Sequence, residues 1–139
     1  MSNNTASTPN LSSTPTKNVI AWFEIPVSDI GRAQRLYESM LDTKLPISDF
    51  GGCPHALLTN ADKSCVSGAL VQDPTRKPSR EGTTLYLVAT DGVARCLSRA
   101  VEAGAKVMLP RTSIGEHGFI ALVQDLDGNI VGLHEELAK

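Results

Sequence analysis

The sequence of 139 residues predicts an α+β domain built from two βαβββ modules. Three features predict this fold: apolar residues that alternate along short segments, apolar residues at helical spacing after two aspartates, and an internal repeat. A period of two is typical of half-buried strands, and a period near 3.6 is typical of amphipathic helices. The two aspartates, Asp29 and Asp91, stand 62 positions apart, so the second half of the chain repeats the first.

The first module is predicted for about residues 18–71. Its first strand, Val19 to Val27, carries apolar side chains at every second position. Asp29 is predicted to cap the following helix, because its carboxylate can accept bonds from the free amides of the first turn. Three shorter strands are expected near residues 44–47, 55–59 and 65–71.

A linker with two prolines and alternating charges, residues 72–82, leads to the second module, about residues 83–136. Asp91 is predicted to cap its helix as Asp29 caps the first. Strands are expected at residues 83–89 and 105–109, followed by a loop at 111–115. A closing hairpin is predicted from Phe119 to Glu135, because two apolar runs flank Asp127-Gly128.

Composition limits the possible functions. The net charge of −2 and the 4% of aromatic residues argue against binding to nucleic acid or to an anionic membrane surface. No apolar run approaches the roughly 20 residues of a membrane span. Three widely spaced cysteines indicate reduced thiols and a cytoplasmic location. Residues 1–17 are rich in Ser, Thr, Asn and Pro and are predicted to be a flexible tail, which leaves a single domain at 18–137.

Alternation along the strands assigns side chains to two faces. The helix-facing side of each first strand is apolar, whereas the opposite face carries Trp22 and Glu24 in the first module and Tyr86 in the second. On the last strand, Gly132 and His134 share one face. These faces are predicted to line a cleft between curved sheets.

Four stretches resemble the vicinal oxygen chelate superfamily, which includes glyoxalase I, bleomycin-resistance proteins and extradiol dioxygenases. They are Trp22-Phe-Glu-Ile-Pro-Val-Ser-Asp29, Arg35-Leu-Tyr37, Ala103-Gly104-Ala105 after the second helix, and Asp125-Leu-Asp127-Gly128-Asn129. The resemblance covers about residues 18–136 and is strongest for an uncharacterised glyoxalase-like branch. It implies an open, barrel-like cleft between the paired modules, and a homodimer.

Metal-dependent members of that superfamily take one His, Gln or Glu from each of four strands. By this resemblance the four positions fall at Trp22, about Leu70, Thr84 or Leu85, and Gly132. None of these residues is a usual ligand of a divalent metal ion. The resemblance therefore implies a cleft with no bound metal and no cofactor.

Glu24 is the strongest candidate for chemistry. On an apolar cleft face it would act as a general base, or as a hydrogen-bond acceptor for a ligand, with a pKa raised by desolvation. The alternative is a structural carboxylate bonded to the backbone of the other module.

Other residues are predicted to shape the cleft and to contact a ligand without taking part in chemistry. Trp22 and Tyr86 would stack on a planar ligand or fill the space that the metal leaves, and Gly132 would make room for a ligand or a close neighbour. His134 is placed at the cleft rim. The remaining predicted contacts are Leu70 and Phe119, the latter after a glycine-flanked loop.

The sequence thus favours a glyoxalase- or bleomycin-resistance-like protein that binds a small organic molecule without a metal. One alternative is an isomerase or lyase that uses Glu24 as acid and base. The other is a metal-dependent enzyme like lactoylglutathione lyase, whose ligands lie elsewhere than the resemblance places them.

Overall fold

A computed structural model describes residues 19–59 and 66–138. The predicted tail, residues 1–17, lies outside the described residues. Each half of the chain has the predicted order of one strand, one helix and three strands. The elements are β1 (Trp22–Pro26), α1 (Ile30–Leu41), β2 (Ile47–Phe50), β3 (Cys53–Leu58), β4 (Ser67–Val71), β5 (Tyr86–Val88), α2 (Val93–Glu102), β6 (Lys106–Ser113), β7 (Phe119–Gln124) and β8 (Ile130–Glu135).

The strands form two separate four-stranded sheets that do not close into a barrel. Their orders are β1-β4-β3-β2 and β5-β8-β7-β6, so each module has the same topology. The parallel pairs are β1 with β4 and β5 with β8, which are the first and last strands of each module along the chain. The other neighbouring strands are antiparallel. The predicted α+β fold of duplicated modules is confirmed.

One hydrophobic core runs through both modules on the helix-facing sides of the sheets. Tyr37 and Met40 of α1 and Val93 of α2 are fully buried in it, together with Ile25 and Leu133 from the sheets. Burying a side chain of this size contributes about 1.5–3 kcal/mol. Neither helix described combines the length and apolar character that crossing a membrane requires.

The two helices begin in different ways. Asp29 caps α1 as predicted, because its Oδ1 accepts a bond of 3.1 Å from the Arg32 amide. The predicted cap at Asp91 is wrong, since Gly92 holds the N-cap position of α2 and gives no side-chain bond. The side chain of Glu135, from β8, takes the capping role predicted for Asp91, because its Oε1 accepts a hydrogen bond of 2.8 Å from the Val93 amide.

Contacts between polar groups tie the modules together. Arg99 of α2 donates to the carbonyl oxygens of Ser39 and Met40, at the carboxyl end of α1, at 2.7 and 2.9 Å. From the turn between β7 and β8, Asn129 donates from Nδ2 to the carbonyl oxygen of Pro26 at 2.8 Å. The end of β1 therefore lies next to the closing hairpin of the second module.

Two strands of the second module, β5 and β6, have different ends from those predicted, because hydrogen bonding to neighbouring strands, rather than the local sequence pattern, sets where a strand ends. β6 continues to Ser113, through residues predicted to be a loop, because β7 pairs with it across two register shifts. β5 is shorter than predicted and spans only Tyr86–Val88.

Candidate functional site

The main polar cluster of the first module surrounds Glu24, on the sheet face opposite the helices. We call this the open face. Trp22 donates from its indole nitrogen to Oε2 of Glu24 at 3.2 Å. Arg76, from the linker, donates to Oε1 at 2.5 Å. The carboxylate is therefore held from both sides while the Glu24 side chain keeps 28% of its surface exposed.

His55 of β3 reaches the same carboxylate. Its Nδ1 lies 2.9 Å from the carbonyl oxygen of Cys53, which can only accept, so Nδ1 carries a proton. Its Nε2 lies 3.7 Å from Oε2 of Glu24. Adjacent strands are about 4.8 Å apart, and β4 separates β1 from β3. Glu24 pairs with Ala69 of β4, whereas His55 pairs with Val71 of the same strand, so the two side chains approach each other diagonally across β4.

The bond from Arg76 holds the pKa of Glu24 below its ordinary value. Since ionic and hydrogen-bonded partners outweigh burial here, the predicted rise of this pKa is wrong. The alternative, a bond to the backbone of the other module, is also wrong, because the partners are the side chains of Trp22 and Arg76. Glu24 is thus an ionised, pre-oriented carboxylate.

We expect Arg76→Gln to raise the pKa of Glu24 toward its ordinary value, because the variant loses the charged donor. A carboxyl group with a depressed pKa stabilises the folded state above its unfolded pKa, and this contribution is lost as the pH falls through the folded pKa. In the variant the folded pKa lies closer to the unfolded value, so this contribution should be smaller, and what remains of it should be lost at a higher pH. NMR titration of the Glu24 carboxyl carbon measures the shift directly.

Lys77→Gln is the matched control, since this neighbouring cation lines the groove beside Glu24 but does not contribute to the lowered pKa of Glu24. If both variants titrate Glu24 at the same pH, the Arg76 bond is not what sets its pKa.

The open face of the second module is apolar at the equivalent position. Tyr86 pairs with Gly132, and its ring packs over the glycine. A Cβ built on Gly132 would lie 2.5 Å from Cε2 and 2.7 Å from Cγ of Tyr86. Of the two roles predicted for Gly132, the structure shows the close-packed neighbour.

Leu70 does not face the cleft, so its predicted placement is wrong. It is fully buried in the core and pairs with Ile25, which also belongs to the core. The repeat explains the error. The amides of Val27 and Ala89, 62 positions apart, each donate a backbone hydrogen bond to the last strand of their module. The accepting carbonyl groups belong to Val71 and His134, which are 63 positions apart. One extra residue in the second module makes Ala69 the equivalent of Gly132.

The fifth strand also has a defined register. Leu85 packs against the hydrophobic core, so alternation gives the open face to Thr84 and Tyr86. The four family positions are then Trp22, Ala69, Thr84 and Gly132, which offer no ligand set for a divalent ion. Within residues 19–59 and 66–138, no three His, Cys, Asp or Glu side chains gather as a metal-binding group.

Two residues of the closing hairpin were predicted to contact a ligand. Phe119 lies on the face of the core residues Ala121 and Val123, with the guanidinium of Arg111 3.6 Å above its ring, so its predicted place in the cleft is wrong. His134 lies on the open face, where its Nε2 is 2.7 Å from the carbonyl oxygen of His117.

A groove of about 360 Å³ runs beside Glu24, between β1, the linker and the start of β8. We call it the Glu24 groove. Lys77 and Glu81 line it from the linker, and Asn129 and Ile130 from the second module. The sequence did not predict that His55 or Arg76 contacts Glu24. No local pattern signals their contacts, because Arg76 is 52 positions from Glu24.

Comparisons with known proteins agree with this architecture. No curated protein matches the sequence. The structure of TnmS3, an antibiotic binding protein from Streptomyces sp. CB03234, is similar with a TM-score of 0.62 and 25% identity, over 88% of this chain and 98% of that chain. A glyoxalase/bleomycin resistance protein from the same organism has a TM-score of 0.59 and 27% identity, over 83% and 98%.

A glyoxalase I mutant from Zea mays, E144Q, shares the fold, with a TM-score of 0.65 and 22% identity over 82% of this chain and 45% of that chain. The family model of the Glyoxalase/Bleomycin resistance protein/Dioxygenase superfamily matches residues 19–133. Since that match spans most of the sequence, the chain belongs to this superfamily.

Proposed function

We propose that the protein binds a small organic molecule at the Glu24 groove, without a metal ion and without chemical turnover. The observation that carries this proposal is the state of Glu24, which is ionised, partly exposed and held in place by Trp22 and Arg76. A pre-oriented carboxylate binds a donor group at little entropic cost. The antibiotic-binding relative supports a binding role.

The same state argues against acid–base catalysis. An efficient general base has a pKa near the working pH, whereas the Arg76 bond lowers that of Glu24. The ligand should instead present a hydrogen-bond donor or a cationic group to the carboxylate. Trp22, with 46% of its surface exposed, offers a flat apolar face beside it for a planar part of the ligand.

Trp22 makes the proposal easy to test, because it is the only tryptophan in the sequence and bonds directly to Glu24. Screening planar compounds that carry an amine or amide should find ligands that change its fluorescence. We expect Glu24→Gln to weaken such a ligand by about tenfold or more, because a charged acceptor is lost.

Asp49→Asn is the control, since Asp49 is an exposed carboxylate of β2. The proposal fails if no compound perturbs Trp22, or if Glu24→Gln binds every ligand as tightly as the unmodified protein. Conversion of a bound compound into product would favour the enzyme alternative.

That alternative, an isomerase or lyase, has one observation in its favour. Nε2 of His55 and Oε2 of Glu24 face each other at 3.7 Å, so a single proton could be shared between two acceptors. Here Glu24→Gln would abolish turnover and leave folding intact. A metal-dependent reaction has no comparable support, because the four family positions lack ligand side chains.

We also propose a homodimer in the cytoplasm. The strands β2 and β6 each leave one edge unpaired within the described chain and carry the exposed apolar residues Phe50 and Met108. Such edges favour pairing with another chain. Cys53 and Cys96 are free thiols, in keeping with a reducing compartment. Sedimentation equilibrium tests the dimer.

A further inference from the structure

A second groove lies along the seam between the modules, and its lining differs sharply from that of the Glu24 groove. It has a volume of about 510 Å³, within the range of ligand pockets. We call it the apolar groove. The lining residues that matter for its chemistry include Ile20, Phe23, Lys44, Leu85, Tyr86 and Val88.

The internal repeat relates the two grooves. Phe23 and Leu85, which occupy equivalent positions 62 residues apart, line both of them. Glu24 lines one groove, and its equivalent, Tyr86, lines the other. The duplicated fold therefore presents related grooves in its two halves. Charged side chains, Glu24, Lys77 and Glu81, line the first groove, whereas the second is mainly apolar.

The apolar groove exposes large apolar side chains to solvent. Val88 is 73% exposed, and Ile20 and Tyr86 are 49% and 46% exposed. Clustered exposed apolar residues that rim a concave surface are typical of binding sites rather than of ordinary protein surface.

The charge of the lining indicates what kind of molecule fits. Among the described residues that line the groove, Lys44 is the only charged one, and none of them is a carboxylate. Among the ion pairs of the described residues, none involves Lys44. Three threonine hydroxyls, from Thr43, Thr59 and Thr90, add hydrogen-bonding capacity to the lining. An apolar body with one anionic group matches this combination.

We propose that the apolar groove is a second binding site, independent of Glu24, for a small molecule with an aliphatic or aromatic body and a single carboxylate that pairs with Lys44. The apolar body covers the exposed side chains of Ile20, Tyr86 and Val88. The ligand of the Glu24 groove has the opposite requirement, a donor or cationic group, so the two sites discriminate by charge.

Isothermal titration calorimetry with sodium octanoate at pH 7.5, and with octan-1-ol as its uncharged match, tests the proposal on the full chain. Octanoate should bind, and octanol should bind at least about tenfold more weakly, because it lacks the charge that pairs with Lys44. Lys44→Gln should weaken octanoate to the level of octanol. Lys77→Gln, which removes a lysine from the Glu24 groove, should leave octanoate binding unchanged.

Val88→Asp gives a second readout that does not depend on Lys44, because Val88 is exposed and the fold does not need its burial. It should abolish octanoate binding while the circular dichroism spectrum and the sedimentation behaviour stay the same. The proposal is overturned if octanoate does not bind, if Lys44→Gln binds it normally, or if octanol binds equally well. It is also overturned if Val88→Asp dissociates a dimer, since a second copy would then cover the groove.

Discussion

Asp125→Ala is expected to reduce the free energy of unfolding by about 3–5 kcal/mol, because several buried donors lose their shared acceptor. Asp125 is only 5% exposed. Its Oδ2 accepts from the Tyr37 hydroxyl at 2.7 Å and from Nδ2 of Asn129 at 3.0 Å. Its Oδ1 accepts from the amides of Asp127 and Asn129, both at 2.9 Å. Urea denaturation followed by circular dichroism measures the loss.

Tyr37→Phe separates one of these bonds from the rest. Burial raises the pKa of Tyr37 well above its ordinary value, so the hydroxyl remains a donor at any physiological pH, and its removal should cost about 1–3 kcal/mol. Asp49→Ala, at an exposed β2 position, should keep a free energy of unfolding within about 0.5 kcal/mol of that of the unmodified protein.

A loss below 1 kcal/mol for Asp125→Ala would mean that this network does not hold the hairpin to α1.

Gly132→Ala is expected to destabilise the protein by about 1–3 kcal/mol, because overpacked side chains force their neighbours to shift. The added Cβ would lie 2.5 Å from Cε2 of Tyr86, and β8 cannot retreat from the sheet without breaking its pairs with β5 and β7. Gly132→Glu, which places a longer and charged side chain against the same ring, should cost more. Thermal and urea unfolding measure both effects.

Gly31→Ala is the matched control. Gly31 lies in the first turn of α1, and a Cβ there would be 3.6 Å from its nearest neighbour, Nη1 of Arg35. Alanine should therefore stabilise by up to about 1 kcal/mol. Combining Gly132→Ala with Tyr86→Ala should relieve the clash, so that the two changes together cost less than their sum. If the costs simply add, the Tyr86 ring does not fill the space at Gly132.

Local sequence patterns were enough to predict the architecture. Alternation, helical spacing and the offset between Asp29 and Asp91 predicted both modules, and the Asp127-Gly128 turn predicted the closing hairpin. These signals work because each one reflects a contact between residues that are close in the chain or repeated at a fixed period.

The site was less predictable, because its contacts connect residues far apart in the chain. Glu24 meets Arg76 across 52 positions, and α2 receives its cap from Glu135 rather than from Asp91. The error at Leu70 has another cause. A single extra residue within the second module changes the face of a strand, because side chains alternate with a period of two.

We propose that the Glu24 groove binds its ligand without a metal ion, since the four family positions on the open face, Trp22, Ala69, Thr84 and Gly132, carry no usual metal-ligand side chains. Native mass spectrometry of protein isolated without chelators from its source cells tests it most directly. We predict a bound organic molecule that Glu24→Gln releases, and no stoichiometric metal ion. A divalent transition metal bound one per chain through side chains of the groove would contradict the claim.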